Sequence, residues 1–269
     1  MTWHTPTTVD EVLRLRAEQP DAPIVAGGTF LGILVRQGLV EADDWISLQK
    51  VGELTRLGHA GDLSVGAMVT HRRLELDDQV RGIWPGVAAA FQAVASPRIR
   101  NVATMGGVLA DADYASDPPS MLVASEAVAE VASLRGTRRI PVSELIVGHY
   151  ATTLEEDELI TRVVVPRPAG KAVYRKLRTR SQEDRPASSV AAVVRRDRVR
   201  VVVGAVSDRP HYFPDVCETW QPGSQQNARE IGTEYAARID YIDDNRGSAA
   251  YRRRVVAVEV ARALMAVAS

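Results

Sequence analysis

Apolar positions along the chain switch repeatedly between helical and strand spacing. Val9, Val12, Leu13 and Ala17 recur at helical intervals behind Thr8-Val9-Asp10-Glu11, a capping-box spacing, so a first helix is predicted to end by Pro20. Pro23 to Ala26 reads as a short strand that runs into Gly27-Gly28. Leu31 to Gln37 follows as a helix closed by Gly38, and Asp44 to Leu48 is the next strand. Helix, strand, glycine turn, helix and strand make a small βαβ unit.

A second region opens near Leu57, with a turn at Gly58–Asp62 and a strand from Val65 to Ala67. Thr70 is placed to cap a short helix, and Pro85 sits at the first turn of a longer one ending near Ala95. Ser96 to Asp117 has neither period and holds a second Gly-Gly; so long an irregular stretch between ordered elements points to function. The segment 118–165 predicts a helix and strands at Ala127–Leu134, Arg138–Pro141 and Leu159–Val165. Pro166-Arg167-Pro168-Ala169-Gly170 marks a boundary. Beyond it, strands at Ala172–Leu177, Ser188–Val194 and Arg198–Val206 form an antiparallel meander, the last two joined at Arg195-Arg196-Asp197. Helices near 226–239 and 248–267 close the chain. The expected organisation is three units, 1–56, 57–167 and 168–269, in an α+β fold.

Composition changes this picture only by exclusion. The chain has 269 residues, 45% hydrophobic and 25% charged, with a formal net charge of -1, so no general attraction to nucleic acid is expected. Cys217 is the single cysteine: it cannot form an internal disulfide, hold an iron–sulfur cluster or complete a CxxC zinc site, and reads as a buried thiol. The five histidines lack metal-ligand spacing, and His71 reads as a helix-start residue. Glu155 to Glu158 reads as a solvated turn. Without a secretory leader or an apolar run approaching the ~20 residues of a membrane span, a cytoplasmic, soluble protein is expected.

The chemistry lies in the glycine turns. Ala26-Gly27-Gly28-Thr29 joins a buried strand to a helix, where backbone N–H groups can approach an anion closely and the helix start adds positive potential. Alone, such a turn is more often a tight connection. Neither GxGxxG nor GxxxxGK[ST] is present, so neither a Rossmann site nor a Walker loop is indicated. The second turn, Thr104-Met105-Gly106-Gly107, closes the stretch from Ser96. Two such turns would clamp one pyrophosphate from opposite sides, with the Thr29 and Thr104 hydroxyls as further donors; the plain alternative is two unrelated loops.

Taken in order, these motifs resemble the FAD-binding (medium) subunits of the molybdenum hydroxylases, such as those of carbon monoxide dehydrogenase and xanthine dehydrogenase. The family's A-G-G-[TH] turn is matched from Ala26 to Phe30 and its G-A-x-T-T-H segment from Gly66 to His71. Its S-P-Q-I-R-N-x-[AG]-T-[IL]-G-G-N segment is matched from Ser96 to Val108, and its A-S-P-x-x-D tail at Ala112 and Asp117. Its Y-R-K-[LF]-x-x-R pattern falls on Tyr174 to Leu177 with Arg180. The resemblance implies a vanillyl-alcohol-oxidase-like FAD module made of the first two units. It sets the pyrophosphate against Ala26, Gly27, Gly28, Thr29, Phe30 and Leu31 on one side and Ala103, Thr104, Gly106, Gly107 and Val108 on the other, with Ala67 and Thr70 nearby. Asp117 and Leu159 are implied near the flavin or its ribityl chain, and Lys176 at the flavin edge. Without the family, Asp117 would equally be a helix cap before Pro118-Pro119, Leu159 plain strand core and Lys176 a solvated strand lysine.

The resemblance further implies iron–sulfur and molybdopterin partner subunits, with electrons passing through FAD to an external acceptor. Four positions depart from the pattern: Phe30 for a small or acidic residue, Val108 for Asn or Asp, and Asp113-Tyr114 for Ser-Pro. These departures keep two alternatives open. One is a stand-alone FAD-dependent enzyme acting on a small molecule in a biosynthetic pathway; the other is a scaffold that kept the fold and lost the flavin.

Overall fold

The computed structural model describes residues 1–196 and 198–269. Among the described residues three larger sheets follow one another along the chain, with a two-stranded one formed by Ile146–Gly148 and Ala151–Thr152, and helices pack between them, an α+β arrangement. The first sheet is wholly parallel, with Asp44–Ser47 at its centre between Thr2–His4 and Ile24–Val25. The strand Thr2–His4 has no signal in the periodicity. It is three residues long and half of Trp3 faces solvent, stacked on Trp45 with ring centroids 5.7 Å apart. The helix Val9–Glu18 starts where the capping spacing predicts: Thr8 Oγ1 accepts the Glu11 N–H at 3.2 Å. The Glu11 carboxylate returns its bond to the Thr7 N–H at 2.6 Å instead of closing on Thr8.

The second sheet runs in the order Leu57–Gly58, Leu63–Gly66, Leu159–Val165, Val128–Ser133, Gly136–Pro141, with every pair antiparallel. Helices Pro85–Gln92 and Pro118–Ala124, each with proline in its first turn, share its apolar core and pack on the strands that follow residue 171. Ser96–Asp117 departs from the irregular stretch expected. It contains two short helices, Pro97–Arg100 and Met105–Asp111. At four and seven residues they are too short to declare an amphipathic period, although Met105, Gly106 and Leu109 share one buried face of the second.

The third sheet, Ala172–Leu177, Ser188–Arg195, Arg198–Gly204 and His211–Tyr212, is the expected meander with one more strand. Of the expected turn Arg195-Arg196-Asp197, Asp197 lies outside the described residues. Ser188 to Val193 are buried without alternation, because helix Pro118–Ala124 packs on one face of this strand and helix Ala249–Ala268 on the other. That last helix is capped by Ser248, which accepts the Tyr251 N–H. It seats Val256, Val260, Ala263 and Leu264 against the sheet and against helix Gln225–Arg238. Cys217 is buried, with Sγ 3.2 Å from Tyr235 Oη. No described helix is long and apolar enough to cross a membrane.

Candidate functional site

The two glycine turns meet. The chain leaves Ile24–Val25 at Gly27, turns through Gly28 at φ +67°, and enters the helix Leu31–Arg36. Gly28 occupies the left-handed region that glycine enters without strain. Gly27 is required for space: a Cβ there would fall onto the Val102 carbonyl oxygen and lie 2.7 Å from its carbon. Gly106 is equally confined, since its Cβ would come within 2.7 Å of the Ala67 Cβ. The first turn is thus pressed onto the backbone entering the second.

The hydrogen bonding of the two turns differs. In the second, the Gly106 N–H donates to Ala67 O at 2.8 Å and the Val108 N–H to Thr104 O at 3.1 Å. The Gly107 N–H donates to Thr104 Oγ1 at 3.1 Å, so Thr104 caps its helix. In the first, the N–H groups of Gly27, Gly28, Thr29, Phe30 and Leu31 donate to no backbone acceptor among the described residues. The expected symmetric clamp is therefore uneven. The first turn offers a row of free donors, and the second contributes a wall whose amides are already spent.

Both turns line one cavity of about 410 Å³, within the range of ordinary small-molecule sites. Ala26, Gly27, Gly28, Thr29, Phe30, Leu31, Ala67, Ala103, Thr104, Gly106, Gly107, Val108, Asp117 and Leu159 all contribute to its surface. Thr70 and Lys176 do not. Thr70 caps the helix His71–Leu76 by accepting the Arg73 N–H and bridges to Thr104, so it acts on the wall from behind. Lys176 lines a neighbouring polar pocket and reaches the cavity only through Asp117. Phe30 stacks on Tyr150, centroids 5.3 Å apart and planes 13° apart, so its ring packs on an aromatic partner and still leaves cavity space.

Asp117 holds the N-cap position of helix Pro118–Ala124 but spends its side chain elsewhere, and Lys176 is not a solvated lysine. No side-chain bond caps the helix at Asp117. Its carboxylate accepts from Tyr174 Oη at 2.6 Å and from Lys176 Nζ at 2.9 Å, and both partners of the ion pair are nearly fully buried. Lys176 also donates to Ala93 O at 2.8 Å. Burial pushes the Asp117 carboxyl up and the Lys176 ammonium down, while their mutual attraction opposes both shifts.

Sequence reasoning missed His71, Asp111 and Arg185 as cavity residues. His71 is buried, with Nε2 3.1 Å from Thr104 O, and burial lowers its pKa to about 4, so it is neutral. Its position directly after the Thr70 cap was the available signal. Asp111 ends the helix Met105–Asp111; burial and the neighbouring Asp113 raise its carboxyl to about 7. Asp113 is held by Arg185 at 2.5 Å. Arg185 arrives from the loop between two strands of the third sheet, a closeness that no local pattern announces.

A row of unpartnered amides, a floor cut to admit no side chain at Gly27 and Gly106, and a largely apolar lining fit a dinucleotide with a charged centre. The comparisons with known proteins agree. Residues 1–168 match the family model described as the FAD binding domain in molybdopterin dehydrogenase. The nicotine 6-hydroxylase medium subunit of Paenarthrobacter nicotinovorans is 34% identical, over 98% of this chain and 95% of its own. The glyceraldehyde dehydrogenase medium chain of Sulfolobus acidocaldarius is 27% identical, over 97% and 96%. Among solved structures, a chain of quinoline 2-oxidoreductase from Pseudomonas putida 86 superposes with a TM-score of 0.94 at 29% identity, covering 100% of this chain and 96% of that one. Fold, cavity and sequence converge, and the chain belongs to the FAD-binding domain family of the molybdopterin dehydrogenases, with FAD as its cofactor.

Proposed function

We propose that the chain is the cytoplasmic flavin subunit of a molybdenum hydroxylase complex, with FAD held between segments 1–56 and 57–167 and braced by 168–269. The observation that carries the reading is the row of free N–H groups from Gly27 to Leu31 on the cavity wall. These half-buried N–H groups face the cavity without protein acceptors, and a pyrophosphate supplies charged acceptors for several at once. Ala103, Thr104, Gly106, Gly107 and Val108 back the same group with a close-fitting wall. Asp117 and Leu159 flank the flavin end. Lys176 and Thr70 act one layer out, the first by fixing the Asp117 carboxylate and the second by anchoring Thr104.

FAD, when bound, supplies a redox centre that exchanges one or two electrons. The residues of the chain bind and orient it and exclude water; none needs to touch a substrate. Cys217 alone cannot hold an iron–sulfur cluster. Electrons are therefore expected from an iron–sulfur subunit fed by a molybdopterin subunit, and they leave to an external acceptor. The medium-subunit and medium-chain names of the relatives support this assembly.

Purified protein is expected to be yellow and to release intact FAD on denaturation. A colourless preparation that takes up no added FAD refutes the binding reading. Co-expression with the adjacent genes is expected to yield a three-subunit complex. If the chain instead purifies alone and turns over a small substrate with oxygen, the relay reading fails.

A further inference from the structure

The segment Asp111–Asp117 forms one wall of the cavity: Asp111, Asp113, Ala115, Ser116 and Asp117 line it, whereas Tyr114 does not. Tyr114 is turned the other way, into the C-terminal unit. Its Oη donates to Asp244 Oδ2 at 2.9 Å and accepts from Arg246 Nη1 at 3.1 Å, and its ring meets His149 edge-on with centroids 4.9 Å apart. The anchor is itself rigid. Asp244 accepts from the fully buried Arg252 at 2.7 Å, from Arg246 Nη1 at 2.7 Å and from the Arg246 backbone N–H at 2.7 Å. Arg252 is pinned in turn by Ala187 O at 3.0 Å and Ile242 O at 2.6 Å. Burial alone would raise the Asp244 carboxyl, but its bonds from Arg252, the Arg246 N–H and Tyr114 hold it at about 2, so the phenol meets a full charge.

The wall needs such an anchor. Ala112, two residues before Tyr114, sits at φ +45° and ψ +36°, a left-handed conformation that a residue with a Cβ adopts only when its surroundings impose it. The Tyr150 N–H donates to Ala112 O at 3.1 Å and Arg185 holds Asp113 at 2.5 Å, two further restraints on this turn. Tyr114 is thus a tether between a strained cavity wall and a charged cluster some 130 residues along the chain.

We propose that Tyr114 is a positioning residue of the flavin site, holding the Asp111–Asp117 wall against the cofactor through Asp244 and Arg246. The inference rests on the reading of the cavity as the FAD site. A hydrogen bond to a charged group outweighs a neutral one, and a wall released from such a bond binds its ligand less tightly by the cost of re-ordering it.

The test is titration of apo-protein with FAD by flavin fluorescence, together with the visible circular dichroism of the bound flavin and the thermal midpoint. Tyr114→Phe keeps the ring and its contact with His149. It is expected to weaken FAD about three- to tenfold and to alter the flavin dichroism, with the midpoint lowered by only a few degrees. Arg246→Met, which cuts the same tether from the other side, is expected to act alike, and the double variant to bind no worse than the weaker single one. Arg246→Met carries the test by itself if Tyr114→Phe does not fold. Parent-like affinity and dichroism in both variants, or effects that multiply in the double variant, overturn the proposal. A parent that takes up no FAD instead overturns the assignment of the cavity, and the proposal falls with it.

Discussion

The sharpest consequence of the geometry concerns Gly27. An alanine Cβ there would lie 2.7 Å from the Val102 carbonyl carbon, where ordinary contact begins at 3.4 Å, and nearer still to the oxygen. The obstruction is backbone, so no side chain can swing aside. The two turns must part by at least the 0.7 Å between those values. Overpacking of this kind costs about 1–3 kcal/mol of stability. The larger effect is expected in binding, because the free amides of Gly27–Leu31 move away from the wall formed by Ala103 to Val108. Losing two charge-assisted bonds at about 1.5 kcal/mol each weakens FAD roughly a hundredfold. Gly32→Ala is the matched control. Gly32 lies in the helix after the turn, is exposed, and has nothing within 4 Å of its Cβ position, so this change is expected to stabilise the fold by about 0.5–1 kcal/mol and leave binding intact. Fluorescence titration of both apo-proteins, with thermal unfolding as the fold control, makes the comparison. If Gly27→Ala folds and binds FAD within twofold of the parent, the close approach of the two turns does not build the site.

Three further outcomes follow from the buried charges. Lys176→Met strands the Asp117 carboxylate in the interior and is expected to cost about 3–5 kcal/mol in urea unfolding, with Asp117→Asn added to it restoring most of the loss; a cost under 1 kcal/mol would contradict the pairing. His71 has a folded-state pKa lowered from 6.5 to about 4, so the stability it contributes is whole above pH 6.5 and is lost as pH falls toward 4, up to about 3 kcal/mol. His71→Gln should flatten that part of the urea-midpoint profile, and an unchanged slope would show that another group titrates. Asp111 has its carboxyl raised from 3.8 to about 7, so the folded state loses stability as pH rises from 3.8 to 7 and stays penalised above it. Asp111→Asn is expected to raise the melting temperature of the apo-protein at pH 8 and leave it unchanged near pH 3.5, and an equal shift at both pH values would refute this.

What the sequence determined by itself is local in origin. Gly27-Gly28 and Gly106-Gly107 were legible as candidate turns, and glycine is needed there because Gly28 takes a left-handed φ and a Cβ on Gly27 or Gly106 would meet a neighbouring segment at contact. The Thr8, Thr70 and Ser248 starts follow from side-chain oxygens that satisfy helix N–H groups within three residues. The helix Ala249–Ala268 declared itself through apolar spacing over many residues, and the meander strands through short valine- and alanine-rich runs separated by polar segments. Only the tertiary structure decided the rest. Thr2–His4 becomes a strand because Asp44–Ser47 offers it an edge, and Met105–Asp111 becomes a helix capped by Thr104 with its Met105, Gly106 and Leu109 face packed into the core. The unequal roles of the two turns depend on Ala67 O and Thr104 Oγ1 taking up the amides of the second, which no glycine count reveals. Lys176 and Asp117, Asp113 and Arg185, and Tyr114 and Asp244 are pairs separated by 59, 72 and 130 positions. A sequence pattern records the preferences of a residue and its near neighbours, whereas these groups meet because tertiary packing brings distant elements together and buries each pair at least in part.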